Sequence, residues 1–336
     1  MLSKGRDMEL NLASAITLFL GSAVVVVIAA IALAKAGDAI ASNTRLGHLW
    51  VGSLLIAGAT SLPELVTNIT AVRIDNPGLA AGNILGANML NVSNLALIVA
   101  LFGGRHIFQK LSKGQEYLAM EAFVLTALAT VFVVIGSSAH WFGITPGAIA
   151  IILVYIIGSR ILYKASVGDS SAAVESPDHT LRWGWTVFLL GALAVSVSAT
   201  ALALSADQIA DKTGISASFI GVLAVAIVTT LPELTVGITS IRIGVPEMAV
   251  AGLYGSNALN ITILAVADLS YFDESLFGSL DQSHVIAGVF AVVLMGIGVI
   301  QIKLRRPVKH FSLKEPSTAA IVTLYVAGLF LVFQAA

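Results

Sequence analysis

The stretch "GATSLPELVTNI", residues 58–69, places a proline and a glutamate side by side within a strongly apolar part of the chain. A proline inside a helix removes a backbone hydrogen bond and kinks or breaks the helix. A charged side chain in apolar surroundings is costly unless a partner neutralises it. A second stretch, "VTTLPELTVGIT" at residues 228–239, repeats the pair, so that Glu233 follows Glu64 by 169 residues. The repetition indicates that the two glutamates share a function.

The composition is that of an integral membrane protein. Of the 336 residues, 57% are hydrophobic and 11% are charged, and the mean hydropathy is +0.93. Ordinary globular domains contain about 25% charged residues. The net charge of -1 and the lack of a basic stretch with interleaved aromatic residues argue against a nucleic-acid partner. The chain has no cysteine, which excludes disulfides, thiolate metal sites and thiol nucleophiles.

Ten apolar runs predict ten transmembrane helices, and therefore an all-α membrane fold. The prolines at 63 and 232 predict that the second and seventh of these helices are broken. The one long polar break, residues 164–182, predicts a solvated linker between the fifth and sixth helices. The predicted spans are residues 14–38, 48–72, 78–103, 117–136, 142–163, 183–208, 216–241, 247–270, 284–303 and 317–335.

The two halves of the chain resemble each other at a constant offset of 169 residues, without insertion. We interpret residues 1–163 as a first five-helix repeat, with its motif at 57–91, and residues 183–336 as a second, with its motif at 226–260. Because each repeat has an odd number of spans, the second enters the membrane from the opposite side, as in the inverted repeats of many secondary transporters. The matched pairs include Asp38 with Asp207, Gly52 with Gly221, Thr60 with Thr229, Pro63 with Pro232, Arg73 with Arg242, and Gly86 with Gly255.

The distribution of Lys and Arg predicts the orientation in the membrane. The side that carries the N-terminus holds four of the 18 basic residues, and the other side holds the remaining fourteen. The positive-inside rule places the richer side in the cytoplasm. Both termini are therefore predicted outside a plasma (inner) membrane, whereas the linker at 164–182 and the basic loop at 303–314 are predicted to be cytoplasmic.

Asparagines follow each Pro–Glu pair. In "GNILGANMLN", Asn88 and Asn91 are three residues apart and share a helix face, and Asn257 and Asn260 repeat this arrangement in "GLYGSNALN". In each half the second asparagine follows the glutamate by 27 residues, which fits a helical hairpin that returns to the same depth. Asn91 and Asn260 are therefore candidate ligands, and Asn88 and Asn257 are either ligands or hydrogen-bonding links between helices.

Two inverted hairpins that meet at the membrane midplane would gather carboxylate, amide, hydroxyl and backbone carbonyl oxygens, because irregular backbone at this depth lines polar cavities. Calcium takes six to eight such oxygens, and sodium accepts the same kinds. Zinc and copper are disfavoured because sulfur and imidazole are missing. The candidate ligands on these grounds are Glu64, Glu233, Thr60, Thr229, Ser61, Thr230, Asn88, Asn91, Asn257 and Asn260.

The motifs "GATSLPE" with "GNILGANMLN", and "VTTLPE" with "GLYGSNALN", resemble the alpha-1 and alpha-2 repeats of the sodium/calcium exchanger family, prokaryotic type, within the calcium/cation antiporter superfamily. The resemblance implies ten helices, four ion sites around the two glutamates, and alternating access in which spans one and six slide against a rigid core. It also implies calcium coordination by both glutamates and by backbone oxygens of Thr60 and Thr229. The sodium ligands that it implies are Ser61, Thr230, Ala57, Ala226, Asn91 and Ser256.

The resemblance implies exchange of Ca2+ for Na+, with these ions and membrane lipid as partners and with no cofactor or obligatory protein partner. Many prokaryotic relatives have an aspartate where Asn260 stands, a serine where Ala87 stands, and Gly-Asn where Ala251 and Gly252 stand. Two carboxylates alone would neutralise one calcium ion, so the sodium stoichiometry is left open. A Ca2+/H+ or other cation/proton antiporter is the alternative, since carboxyl groups also carry protons.

Two other classes of protein fit the sequence less well. A passive channel is disfavoured because broken helices in inverted repeats suit alternating access around one central site. An enzyme is disfavoured because no cysteine exists and no histidine is predicted at membrane depth, which leaves no activated nucleophile and base.

Overall fold

The computed structural model describes residues 11–44, 46–136, 145–168, 179–213, 229–271, 275–304 and 316–335. Within these ranges the chain forms helices and short connections, and no strand. The helices are α1 (Leu12–Asn43), α2 (Gly47–Thr60), α3 (Leu62–Arg73), α4 (Pro77–Phe102), α5 (Gly104–Phe108), α6 (Gly114–Ile135), α7 (Pro146–Gly168), α8 (Leu181–Thr213), α9 (Leu231–Arg242), α10 (Pro246–Leu269), α11 (Gln282–Leu304) and α12 (Pro316–Ala335).

The predicted all-α membrane fold is confirmed. Eight of the described helices are long and apolar enough to cross a membrane, and α2 with α3 forms a ninth, broken span. The predicted break of the second span is also confirmed, since α2 and α3 are bent by 46° at Ser61. The count of ten stays a prediction, because the seventh predicted span, 216–241, is described only from Thr229 onward.

Local sequence signals set where several helices begin. The Asn11 side chain caps α1 by accepting a hydrogen bond from the backbone N–H of Ser14 over 2.8 Å. The Asn76 side chain caps α4 by accepting one from the backbone N–H of Leu79 over 3.0 Å. Pro77, Pro146 and Pro246 occupy the first positions of α4, α7 and α10, where a missing N–H costs nothing. These signals fix the ends of the helices that surround the two Pro–Glu pairs.

Helices α4 and α10 form the centre of the molecule. Ile84 and Leu85 of α4 and Tyr254 and Leu264 of α10 are at most 1% exposed and belong to one large hydrophobic cluster. Helices α1 and α8 pack along each other and form a second cluster with the start of the broken span. The two longest helices, which correspond to the predicted spans one and six, are therefore paired at one flank of this centre.

The two Pro–Glu hairpins have the same backbone at matched positions. Ser61 before α3 has φ -88° and ψ 5°, and Thr230 before α9 has φ -92° and ψ 2°. In the turns that follow, Asp75 and Gly244 both have positive φ, at 60° and 88°. Aspartate is one of the few residue types other than glycine that tolerates this region. Matched sequence therefore produces matched local structure in the two halves.

Contacts at one end of the bundle join the turn after α3 to α10 and α11. The Tyr271 hydroxyl donates to Asp75 over 2.5 Å, and His284 Nε2 lies 2.9 Å from the carbonyl oxygen of Gly78. His284 Nδ1 also lies 2.7 Å from Asp281. Partial burial acts to raise the pKa of Asp281. Hydrogen bonds from Ser283 and the neighbouring His284 outweigh this effect and hold the pKa of Asp281 below its ordinary value. These segments are all predicted on the same side of the membrane.

Contacts at the opposite end join α10 to the start of α6. The Glu247 carboxylate accepts a hydrogen bond from the Ser112 N–H over 3.3 Å, and its backbone oxygen accepts one from Gln115 Nε2 over 2.8 Å. Asp38 at the end of α1 pairs with His48 in α2 at 2.7 Å. These residues are predicted on the cytoplasmic side, so the contacts agree with the predicted alternation of spans.

Candidate cation site

The two repeated glutamates lie in the first turns of α3 and α9. Glu64 follows the break at Ser61, whereas the predicted break of the seventh span cannot be followed because the residues before Thr229 are outside the described part of the chain. Glu64 is 1% exposed and Glu233 is 3% exposed, and the two carboxyl groups are close enough to interact electrostatically. A helix N-terminus favours negative charge because its unpaired N–H groups carry partial positive charge. The starts of α3 and α9 therefore place two such N-termini inside the protein, each beside a carboxylate.

The backbone around the first break is held by hydrogen bonds on either side of it. The Ser61 N–H donates to the Ala57 oxygen over 2.9 Å, and the Leu65 N–H donates to the Ser61 oxygen over 3.1 Å. Pro63 has no N–H with which to bond the carbonyl of Ala59. A π-helical segment, Val51–Ile56, precedes the break. Nothing in the sequence pattern predicts this segment.

Four asparagines connect α4 to α10. Asn91 Nδ2 donates to Asn257 Oδ1 over 3.0 Å, and Asn260 Nδ2 donates to Asn88 Oδ1 over 3.1 Å. Asn88 Nδ2 also donates to the backbone oxygen of Asn257 over 3.1 Å. Each of these bonds runs from one half of the chain to the other. Asn88 and Asn257 therefore link the helices and orient the amides of Asn91 and Asn260; we call these four residues the asparagine cluster.

Several buried oxygens in this region have no hydrogen-bond partner within the described residues. They are both carboxylate oxygens of Glu64, Oε2 of Glu233, Oγ of Ser61, and Oδ1 of Asn91 and of Asn260. An unsatisfied buried polar atom costs about 1–3 kcal/mol, so such a concentration requires a reason. The asparagine cluster uses the amide nitrogens and leaves these two amide oxygens as acceptors. A hard cation would satisfy the whole set.

Hydroxyl groups connect the first motif to the second half. Thr60 Oγ1 lies 3.4 Å from Ser256 Oγ, and the Thr60 side chain also interacts with the Glu233 carboxylate. Thr60 Oγ1 donates to the Ile56 oxygen over 3.1 Å. The hydroxyl of one half thus lies beside the carboxylate of the other.

The predicted site residues lie in the core of the protein. Ala226 is outside the described residues, and each of the others is at most 3% exposed; these are Ala57, Thr60, Ser61, Glu64, Asn88, Asn91, Thr229, Thr230, Glu233, Ser256, Asn257 and Asn260. Their roles as ligands stay predictions. The described part of the chain has no group of three or more His, Cys, Asp or Glu that could hold a metal. A cation here would need amide, hydroxyl and carbonyl oxygens in addition to the two carboxylates.

Asn68 is a buried residue beside Glu64 that was not among the predicted site residues. This residue is fully buried, its Nδ2 donates to the backbone oxygen of Glu64 over 2.7 Å, and its Oδ1 has no partner among the described residues. It lies one helical turn after Glu64, a spacing that could have identified it. The matched position in the second half is Gly237, so this part of the site is not symmetric.

A family model described as "Sodium/calcium exchanger protein" matches residues 14–163 and 183–335. The sodium/calcium exchanger MaX1 of Methanosarcina acetivorans is 25% identical over 277 residues, covering 70% of this chain and 77% of the relative. Inner membrane protein YrbG of Escherichia coli is 25% identical over 221 residues, covering 64% and 67%.

The fold is also similar to that of a solved structure, the sodium-calcium exchanger NCX_Mj. The TM-score is 0.73 and the sequence identity is 21%, with 95% of this chain and 99% of that chain covered. The fold, and not only the two motifs, is therefore shared with that protein.

Proposed function

The chain belongs to the sodium/calcium exchanger protein family, and from this premise we propose that it is a secondary active antiporter that exchanges Ca2+ for Na+. The observation that carries the proposal is the pair of buried, interacting glutamates in the first turns of α3 and α9, surrounded by oxygens without partners. Carboxylates are rare at membrane depth and mark ion pathways there.

The two carboxylates neutralise one calcium ion, and neutral oxygens complete its shell. Calcium tolerates six to eight oxygens in irregular geometry, which suits amides and hydroxyls drawn from two different hairpins. In this proposal Asn91 and Asn260 supply amide oxygens and Thr60 and Thr229 supply backbone oxygens. Sodium ions use the same carboxylates together with Ser61, Thr230, Asn91, Ser256, Ala57 and Ala226.

Coupling follows from the cost of leaving the site without a cation. Two ionised carboxylates that are buried close together repel each other and lose their hydration. A site without cations therefore does not become occluded, and the protein changes its accessible side only when cations are bound. The paired helices α1 and α8, packed at the flank of the central helices, are the elements that slide during this change.

Proton coupling is the second candidate, and Asn260 is the observation that favours it. With an amide at this position, only Glu64 and Glu233 carry charge in the described site. Two sodium ions or two protons would each balance the charge of one calcium ion. The ion that drives exchange is therefore decided by the affinity of the neutral oxygens for sodium.

The protein is proposed to lie in the plasma (inner) membrane with both termini outside. The excess of basic residues on one side supports this orientation and places the linker at 164–182 and the loop at 303–314 in the cytoplasm. Residues 1–163 and 183–336 are the proposed inverted repeats. The exchange requires no cofactor and no obligatory protein partner.

The proposal is tested by radiolabelled calcium uptake into proteoliposomes loaded with sodium and diluted into sodium-free medium at equal pH on both sides. Uptake is expected in the wild type and in the control Asp281→Asn, which alters a carboxylate at the end of the bundle. Uptake is expected to vanish in Glu64→Gln. Uptake that requires a pH gradient instead of sodium would identify the proton antiporter, and full uptake in Glu64→Gln would contradict the site.

A further inference from the structure

A groove of about 290 Å³ runs between α6 and α7, on the outer surface of the bundle. Its walls are mostly apolar, and Tyr117 and Ile157, one from each helix, are both 57% exposed. In a membrane-spanning bundle, surface-exposed apolar side chains at this depth face lipid. We call this feature the α6–α7 groove; its wall residues are Tyr117, Met120, Val124, Val154, Ile157 and Ile161.

Glu121 lies at the floor of the α6–α7 groove. It is 9% exposed, and its Oε1 atom is buried without a hydrogen-bond partner in the described chain. No described Lys, Arg or His forms an ion pair with it. Gly158 lies opposite, and a Cβ atom there would overlap the Glu121 carboxyl group. The floor is thus shaped to accommodate this carboxyl group.

Glu121 is not one of the residues of the candidate cation site. It lines a cavity of about 10 Å³, the size of one water molecule, together with Ser53 of α2 and Gly255 of α10. The position matched to Glu121 in the second half is Phe290, so the carboxyl group has no repeated counterpart. The exchange mechanism proposed above does not use it.

The surroundings of Glu121 favour the neutral carboxylic acid. An ionised carboxylate without a cation beside it is strongly unfavourable in apolar surroundings. The facing groups are the hydroxyls of Tyr117 on α6, Tyr155 and Ser159 on α7, and Ser53 on α2, none of which is a cation. A neutral acid offers an O–H donor and needs an acceptor. The hydroxyls could accept it, but Oε1 of Glu121 has no hydrogen-bond partner among the described residues, and the open side of the groove faces lipid.

The position of Glu121 along α6 indicates the acceptor. Glu121 lies about 10 Å along α6 from Gly114, at 1.5 Å per residue, in the half of this span that is nearer Lys113, and helical side chains tilt toward the helix N-terminus. Phospholipid ester carbonyls lie between the hydrocarbon and the headgroups at this end of the groove. Lys113 precedes α6 and Lys164 lies near the end of α7, at the same end of the groove, and both are exposed. Long basic side chains at helix ends reach toward lipid phosphates.

We propose that the α6–α7 groove binds one phospholipid of the surrounding bilayer, with the neutral acid of Glu121 donating a hydrogen bond to an ester carbonyl. Lys113 and Lys164 hold the phosphate, and an acyl chain lies along the apolar walls. The site is independent of ion exchange, so it stands even if the transported ions differ from those proposed.

Native mass spectrometry of protein released from lipid nanodiscs tests the site. Wild type and Glu121→Gln, whose amide keeps a donor of the same shape, are expected to retain one phospholipid. Glu121→Leu is expected to retain it at least fivefold less, whereas Val134→Ala, a lipid-facing control on α6 outside the groove, is expected to match wild type. Equal retention by Glu121→Leu and wild type would overturn the proposal.

Chemical labelling of the wild type tests the same site without a destabilising variant. Dicyclohexylcarbodiimide enters lipid and reacts with neutral acids: the acid proton moves to a carbodiimide nitrogen while a carboxyl oxygen bonds the central carbon. Glu121 is expected to be labelled, and the labelled protein is expected to lose the bound phospholipid. Labelling of Glu121 only by a water-soluble carbodiimide would contradict a lipid-facing site.

The headgroup contact is tested with nanodiscs that contain anionic and zwitterionic phospholipids in equal amounts. Wild type is expected to retain the anionic lipid preferentially, because two lysines face its phosphate. Lys113→Gln combined with Lys164→Gln is expected to reduce this preference at least threefold without removing the acyl-chain contact. An unchanged preference would remove the lysines from the proposed site.

Discussion

At the residue scale, the surroundings of Glu64 and Glu233 suit buried negative charge, and in the proposed function a cation neutralises it. Each lies at a helix N-terminus, and buried oxygens near the two glutamates have no hydrogen-bond partner among the described residues. The asparagine cluster contributes by using its amide nitrogens for bonds between halves, which leaves two amide oxygens as acceptors. Asn88 and Asn257 therefore orient the amides of Asn91 and Asn260, the two proposed ligands.

Asn260→Asp is expected to increase the number of sodium ions exchanged for each calcium ion, because a third carboxylate requires a further positive charge. The variant also loses the 3.1 Å bond to Asn88 Oδ1 and places one acceptor against another. Its free energy of unfolding is expected to fall by about 1–3 kcal/mol. The sodium gradient that just balances a fixed calcium gradient in proteoliposomes measures the ratio, and an unchanged ratio would contradict this prediction.

The sequence predicted the residue types at the site better than their orientations. Glu64 and Asn91 were identifiable because a repeat and a helical spacing place them together. The direction of each amide was not, because it depends on bonds between residues far apart in the chain. Asn68 and Glu121 were missed because neither is repeated in the second half, and repetition was the strongest signal available.

At the element scale, the close approach of α2 and α10 holds the two halves of the site together. Gly255 lies directly against the backbone of Ser53, in the π-helical segment that precedes the first break. The next residue, Ser256, contacts Thr60 at 3.4 Å. The distance between these helices therefore sets the geometry of the hydroxyl groups.

Gly255→Ala is expected to lower the free energy of unfolding by about 1–3 kcal/mol and to weaken calcium binding. The added Cβ atom would overlap the Ser53 backbone, so α2 and α10 must separate. Gly21→Ala in α1 is the control, since no described atom lies within 4 Å of its Cβ position and it removes a helix glycine. The control is expected to be neutral or stabilising by up to about 1 kcal/mol. Thermal unfolding measures both, and equal melting temperatures would contradict the role of Gly255.

The sequence predicted which elements exist more accurately than where they end. The break at Pro63 followed from backbone chemistry alone. The π-helical segment Val51–Ile56 and the extension of α1 to Asn43 were not predicted. The π-helical segment packs closely against α10, with Gly52 against the backbone of Met248, and such contacts cannot be inferred from the position of apolar runs.

At the scale of the whole molecule, the matched hairpins are expected to face opposite sides of the membrane. The repeat register predicted their similarity, and their backbones agree at Ser61 and Thr230. The ion that drives transport could not be predicted from the same residues. Sodium and protons are both attracted by carboxylates, so the choice depends on small differences in free energy at the neutral oxygens.

Arg73→Cys and Arg242→Cys are expected to react with a membrane-impermeant maleimide from opposite sides of the membrane. The two arginines are exposed at matched turns, and the chain has no cysteine of its own to interfere. In intact cells, Arg73→Cys is expected to be labelled and Arg242→Cys is expected to be labelled only after permeabilisation. Labelling of both, or of neither, in intact cells would contradict the inverted arrangement.

Equilibrium binding of calcium to the purified protein tests the central claim most directly, because it requires no assumption about the driving ion. The wild type and Asp281→Asn are expected to bind calcium with equal affinity, and both are expected to release it when sodium is added. Glu64→Gln and Glu233→Gln are each expected to weaken binding at least tenfold, since a lost charged ligand costs about 1.5–3 kcal/mol or more. Wild-type affinity in either glutamate variant would show that calcium binds elsewhere.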